Sequence, residues 1–191
     1  MKINKLKKNG EQYPERLMRI HDPPKELYWI GSSLNELLKT PVMTVVGSRK
    51  TTPYGRQITE EIVSKLASLG IVIVSGLAFG IDTIAHKSAL KAEGKTIAVL
   101  PSPLDKIVPV YNQRLAGQII ETGGALISEY DPGSPIYKQY FIARNRIMAA
   151  LGDALLITEA AEKSGSLHTA RFALEQGKTV FVVPGEIYRD T

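Results

Sequence analysis

The stretch MTVVGSR at residues 43–49 decides the fold, because a short apolar run ends there in a glycine, a hydroxyl and a cation. Such a run is typical of a buried strand. Apolar residues then recur at helical spacing over 58–69, and a second apolar run follows at 71–74. Strand, helix and strand in this order predict two parallel strands joined by a right-handed crossover.

The same plan repeats along the rest of the chain. Four further apolar runs follow at similar intervals, at 96–100, 125–127, 154–157 and 179–183. All six runs are typical of buried strands, and the segments between them have helical periodicity. The predicted fold class is α/β: an open, mostly parallel sheet of at least six strands with helices on both faces.

The first forty residues differ in character from this plan. A lysine-rich start is followed by Pro23-Pro24, a Tyr28-Trp29 pair and a short amphipathic stretch at 34–38. We expect residues 1–40 to form a mobile arm and a cap packed on the sheet edge, and residues 41–191 to form the domain that carries the site.

Composition narrows the class of partner. The 191 residues include 24 Lys and Arg against 19 Asp and Glu, a net charge of +5 that makes anionic partners plausible. No cysteine is present, which excludes disulfides and thiolate metal sites and fits the cytoplasm. No run approaches the roughly 18 apolar residues of a membrane span, so we expect no membrane partner.

The loops that follow the strands are the candidate site, because open sheets of this class bind ligands beyond the carboxyl ends of their strands. Residues suited to holding an anion lie in three of these loops: Gly47, Ser48, Arg49 and Lys50; Gly76; and Ser164, Gly165 and Ser166. Free backbone N–H groups and helix starts at such turns favour phosphate. For the serines of the third loop, helix capping is an equally good interpretation.

A fourth loop ends in an aromatic and basic segment. Phe141, Arg144, Asn145 and Arg146 open a helix just after two tyrosines. Arginine binds phosphate and an aromatic ring stacks on any unpaired base, so this segment indicates single-stranded nucleic acid.

Patterns typical of catalytic sites are scarce in this sequence. The three histidines lack metal-ligand spacing, and we expect no metal site, no cofactor and no catalytic residue. Asp82 and His86 fit local helix contacts. Glu129 and Glu159, at strand ends, fit loop organisation through accepted backbone N–H bonds.

In order along the chain, these loops resemble the DNA-processing protein A (DprA/Smf) family. The resemblance covers nearly the whole chain, and its most specific segments are Val46-Gly47-Ser48-Arg49, Ser75-Gly76-Leu77-Ala78, Gly80-Ile81-Asp82, Ser128-Glu129, Phe141 with Arg144-Asn145-Arg146-Ile147, Ser164-Gly165-Ser166 and Val183-Pro184-Gly185.

The resemblance implies a Rossmann-like domain that binds single-stranded DNA in natural transformation and recombination, dimerises and loads the RecA recombinase. It implies DNA contacts by Arg49, Lys138 and Phe141. Relative to the family, the carboxy-terminal end is expected to be truncated, which puts dimerisation and RecA contact in question.

An enzyme is the rival interpretation. Lonely-Guy or lysine-decarboxylase-like phosphoribohydrolases share this class of fold and carry a catalytic glutamate in a glycine-rich turn after a comparable strand. Here the matching turn has no glutamate between Ser164 and Phe172. A sensor that holds a small nucleotide without hydrolysing it is a third interpretation.

Overall fold

A single mixed sheet organises the computed structural model, which describes residues 2–162 and 164–185. Its strands are β1 (Asn4–Lys7), β2 (Glu26–Gly31), β3 (Val42–Val46), β4 (Val72–Ser75), β5 (Thr96–Val99), β6 (Ala125–Ser128), β7 (Ala154–Ile157) and β8 (Thr179–Val182). They lie in the order β1-β2-β6-β5-β4-β3-β7-β8.

Helices connect these strands and cover both faces of the sheet. They are α1 (Glu15–Met18), α2 (Leu34–Leu37), α3 (Pro53–Ser68), α4 (Ile81–Lys91), α5 (Gln113–Glu121), α6 (Tyr140–Ala143), α7 (Asn145–Leu151) and α8 (Ser166–Glu175), with a 3₁₀ turn at Val110–Asn112 before α5. Among the described residues, no helix is both long and apolar enough to cross a membrane.

The strands from β3 onward pair in parallel, as predicted. Each of the six predicted strands is present with its ends within one residue of the expected bounds. Alternate residues of β3 face opposite sides: Val42 and Val46 pack with α1, α2, α7 and α8, whereas Val45 packs with α3 and α4. The α/β class with both faces covered is therefore confirmed.

The amino-terminal segment extends the sheet instead of lying wholly outside it. Strand β2 pairs antiparallel with β6, and β1 pairs antiparallel with β2. Lys5 of the expected arm forms an ion pair with Glu26 at 2.7 Å across that edge. The residues of β1 lack the apolar pattern of a strand, and only Leu6 among them packs against the core. Backbone pairing with β2 keeps this segment in the sheet.

The expectation that all six apolar runs would be buried is wrong for β8. Phe181 and Val182 are 50% and 62% exposed, because β8 lies at the sheet edge and pairs with β7. The domain was expected to reach residue 191; residues 186–191 lie outside the described part of the chain, as does Lys163.

Candidate nucleic-acid interface

A crevice opens where β3 and β7 end, at the carboxyl edge of the parallel strands. Its volume is 590 Å³, and it is called the main pocket below. The predicted residues that line it are Gly47, Ser48, Arg49, Lys50, Phe141, Arg144, Asn145, Ser164, Gly165 and Ser166. The structure thus brings together ten of the thirteen predicted site residues from three segments of the chain, of which the first and the last are more than one hundred residues apart.

Arg49 and Phe141 form the rim of the main pocket. The Arg49 guanidinium carbon lies 5.6 Å from the centre of the Phe141 ring, within the range of a cation–π contact. Arg49 is exposed and Phe141 is only half-buried, so Phe141 is not a core residue. A cation and an aromatic face are therefore presented side by side to whatever enters the pocket.

The loop after β3 is held by Glu159, which follows β7. The Glu159 carbonyl accepts a bond from the Ser48 N–H at 2.7 Å, and its carboxylate accepts from the Thr52 N–H at 3.1 and 3.2 Å. Thr52 in turn caps α3 by accepting from the Gly55 N–H. The role expected of Glu159, loop organisation, is confirmed.

The same bonds change the interpretation of the Gly47 turn. Its expected feature was a set of free N–H groups at a helix start, but Ser48 and Thr52 donate theirs to Glu159, and the Ser48 hydroxyl bonds to the backbone of Lys50. Helix α3 begins only at Pro53. Positive charge at this turn therefore comes from the Arg49 and Lys50 side chains, not from an open helix end.

Arg144 forms part of the floor of the main pocket but is almost completely buried. Its residue exposure is 3%, and its guanidinium donates to the carbonyls of Gly76, at 2.7 Å, and Val99. Burial lowers the pKa of Arg144 to about 10, against the opposing attraction of Asp82. Gly76 does not line the pocket; a side chain there would collide with the Arg144 guanidinium.

Asp82 and His86 have separate partners, although they lie one turn apart. Asp82 is buried, accepts a bond from the Ala78 N–H at 3.4 Å, and has a pKa raised by burial against the opposing charge of Arg144. His86 is bonded to the Thr96 hydroxyl at 2.7 Å. The bond of Asp82 to the loop before α4 agrees with the local contacts that the sequence indicated, whereas His86 bonds to a residue of β5.

Arg146 is directed away from the main pocket. Its guanidinium binds the Glu129 carboxylate through two bonds of 2.8 and 2.6 Å and also reaches Asp22. Arg146 lines a separate cavity beside the amino-terminal segment. Lys138 is exposed on the loop between β6 and α6, outside the lining of the main pocket.

The serine turn before α8 completes the pocket wall. The hydroxyls of Ser164 and Ser166 are 2.7 Å apart, and the Ser164 hydroxyl accepts from the Ser166 N–H at 3.3 Å. The Asn145 amide donates to the Gly165 carbonyl at 3.3 Å. Thr169, which the sequence did not single out as a site residue, lines the pocket with a buried hydroxyl that has no hydrogen-bond partner within residues 2–162 and 164–185.

An aromatic cluster stands beside Phe141. Tyr130 and Tyr140 are stacked with their ring centres 3.8 Å apart, and Tyr137 meets Tyr140 edge-on at 5.2 Å. Tyr137 is 47% exposed. Tyr130 lies at the start of the loop between β6 and α6, and sequence reasoning did not single it out because its stacking on Tyr140 depends on how that loop folds back.

The two carboxylates that follow the strand ends at this site already have hydrogen-bond partners. The Glu129 carboxylate is bound by Arg146 and that of Glu159 by a backbone N–H group. No cluster of three or more metal-ligating side chains occurs among the described residues. The arrangement can hold a phosphate beside an aromatic face.

Comparison with known proteins gives consistent matches. The sequence model of the family described as DNA recombination-mediator protein A matches residues 5–191. DNA processing protein DprA of Bacillus subtilis is 39% identical over 97% of this chain, and the chain spans 62% of that protein's length.

Two solved structures share the fold closely. DNA processing protein A from Streptococcus pneumoniae superposes with a TM-score of 0.89 at 42% identity, over 98% of this chain and 65% of that one. The Helicobacter pylori protein, whose structure concerns its single-stranded DNA binding mode, has a TM-score of 0.87 at 38% identity, over 97% and 82% of the two chains.

Proposed function

This chain belongs to the DNA recombination-mediator protein A family, and from that premise we propose that it binds single-stranded DNA in the main pocket. The single observation that carries the proposal is the Arg49–Phe141 pair on the pocket rim. Arg49 can neutralise a phosphate while the adjacent ring stacks on an unpaired base. A duplex keeps its base faces hidden and cannot use the ring.

The cellular role follows from the family and from the relatives named above. Binding would serve the uptake and recombination of DNA in natural transformation, in the cytoplasm, with RecA as the recombinase to be loaded and a homodimer as the assembly. Since the chain spans less than two thirds of the Bacillus subtilis protein, these partners are part of the proposal.

The structure offers no support for nucleotide hydrolysis. Of the two carboxylates nearest the strand ends, Glu129 is neutralised by Arg146 and Glu159 is occupied by the Thr52 N–H. Neither is placed as a general base with a nucleophile beside it. We therefore expect incubation with adenosine monophosphate, with and without magnesium, to release no base; release that disappears in Glu159→Gln would contradict this.

Fluorescence anisotropy tests the binding proposal directly. A labelled oligothymidylate and a duplex of equal length are titrated with the protein at one salt concentration. We expect tighter binding of the single strand, and an affinity that falls as salt rises because phosphate neutralisation releases counterions. Equal affinity for the two forms would contradict the role of the Phe141 ring.

A further inference from the structure

A second cationic cavity adjoins the main pocket. It lies between the first two turns of α3 and one side of α4 along its length, has a volume of 430 Å³, and is called the α3–α4 groove below. Arg49 lines both cavities, so the two share one wall residue. The groove's other cations are Arg56, Lys87 and Lys91, against one carboxylate, Glu60.

An exposed aromatic pair stands in this groove. The rings of Phe79 and Tyr111 have their centres 5.9 Å apart at an angle of 41°, and the two residues are 49% and 74% exposed. Large aromatic rings contribute most to stability when buried. Here two of them are left in water among cations, which is the combination that single-strand binding surfaces use.

Buried hydrogen bonds hold the two aromatic residues in place. The side-chain amide of Asn112, next to Tyr111, donates to the Leu77 carbonyl and the Thr83 hydroxyl, both at 2.8 Å. Asn112 is 1% exposed. The 3₁₀ turn that carries Tyr111 is therefore fastened to the loop that carries Phe79.

The loop of Phe79 is also fixed from the side of the main pocket. The Ile81 N–H donates to the Ser48 carbonyl at 3.1 Å, and Gly80 packs so closely on that loop that a side chain there would collide with its backbone. The backbone that carries Phe79 is thus fixed relative to the backbone of Arg49. A rigid aromatic platform loses little conformational entropy when a base stacks on it.

The lysines of the groove share one face of α4. Lys87 and Lys91 lie one turn apart, and like charges at this spacing slightly destabilise a helix. Such a pair is favourable when a polyanion lies across it. Arg56 faces them from the first turns of α3.

We propose that the α3–α4 groove is a second subsite for single-stranded DNA, in which bases stack on Phe79 and Tyr111 while Arg56, Lys87 and Lys91 bind phosphates. The proposal rests on the proposed function, because the strand would enter the groove from the main pocket by passing Arg49. A strand too short to span both cavities would use the main pocket alone.

The test is the dependence of affinity on strand length. Oligothymidylates of about 4 to 20 nucleotides, which bracket the usual size of single-strand sites, are titrated by anisotropy against wild type and the double variant Phe79→Ala/Tyr111→Ala. We expect the variant to lose about tenfold in affinity for the long strands and little for the shortest, since base stacking contributes to each occupied position.

A charge variant and a control complete the experiment. Lys87→Ala/Lys91→Ala should lower the salt slope of long-strand binding by about 1.4, because each phosphate neutralised on a single strand contributes about 0.7 to that slope. Lys65→Ala removes a single positive charge near the other end of α3 and should change neither quantity.

The results that would contradict the second subsite differ from those that would contradict the proposed function. Weaker binding of long and short strands to the same extent, or unchanged binding at every length while Arg49→Ala weakens both, would overturn the second subsite and leave the proposed function standing. Absence of single-strand binding by the wild-type protein at every length would overturn both.

Discussion

Two arginines of one pocket have opposite roles, although both carry the same charged group. Arg49 stands exposed on the rim over Phe141, whereas Arg144 is buried with its guanidinium bound to backbone carbonyls. The first can neutralise an incoming phosphate. The second fixes the ends of β4 and β5, so its replacement should destabilise the fold.

Substitutions of Arg49 and Phe141 should separate the contribution of charge to binding from the contribution of base stacking. Arg49→Ala is expected to lower the affinity for a single strand and to lower its salt slope by about 0.7, the contribution of one phosphate neutralised on a single strand. Phe141→Ala should cost roughly 1–3 kcal/mol of binding with the slope little changed, because stacking releases no counterions. Arg171→Ala, an exposed arginine on α8, is the matched control and should leave affinity unchanged.

Arg144→Met is expected to lower the melting temperature by several degrees. The substitution leaves the Gly76 and Val99 carbonyls without their donor and removes the positive charge beside buried Asp82. Thermal melting followed by circular dichroism measures the effect. Arg49→Ala should melt close to wild type, and an unchanged melting temperature for Arg144→Met would contradict the structural role of this side chain.

At the scale of elements, the start of α3 depends on a cap and a distant carboxylate. Thr52 accepts from the Gly55 N–H at 2.9 Å, and its own N–H is held by Glu159 from the loop after β7. The loop that carries Arg49 therefore ends at a fixed position, the capped start of α3.

Thr52→Ala should cost about 1 kcal/mol of stability, the usual effect of removing a threonine cap. For a domain of this size that corresponds to a fall of about 2–4 °C in melting temperature. Thr51→Ala removes a hydroxyl one residue earlier, where it does not cap the helix, and serves as the control. Equal shifts in the two variants would show that the cap is not what stabilises α3.

The parallel strands were easier to predict from the sequence than the bonding partners of individual side chains. All six apolar runs are strands, and in five of them the continuous apolar composition reflects burial on both faces of the sheet, whereas β8 is an exposed edge strand. Arg144 and Arg146 carry no local signal of their partners: the carbonyls of Gly76 and Val99 and the carboxylate of Glu129 reach them only through the fold.

At the scale of the whole molecule, the buried residue His86 makes the free energy of unfolding depend on pH. The Thr96 hydroxyl donates to the Ile73 carbonyl, so Nδ1 of His86 must be the donor in its bond to Thr96. Its Nε2 is buried and has no partner within the described part of the chain. Burial, with the nearby charge of Arg144, lowers the pKa of His86 to about 3.

This lowered pKa predicts a loss of stability in acid. The unfolded chain binds a proton at His86 near pH 6.5, whereas the folded protein resists it until about pH 3. The contribution of His86 is therefore complete above pH 6.5 and is lost as the pH falls from there towards 3. Urea unfolding at pH 7 and pH 4.5 should show a smaller difference for His86→Leu than for wild type, whereas exposed His21→Leu should match wild type.

The burial of Arg144 also decides when the site comes into existence. Its guanidinium bonds to carbonyls that lie 68 and 45 residues earlier in the chain, so the pocket floor forms only after β4, β5 and α7 have met. Contacts so distant in sequence close slowly compared with helix formation. We therefore expect the amides of β4 and β5 to exchange with deuterium only through global unfolding, and the capacity to hold a nucleotide to arise in the last steps of folding.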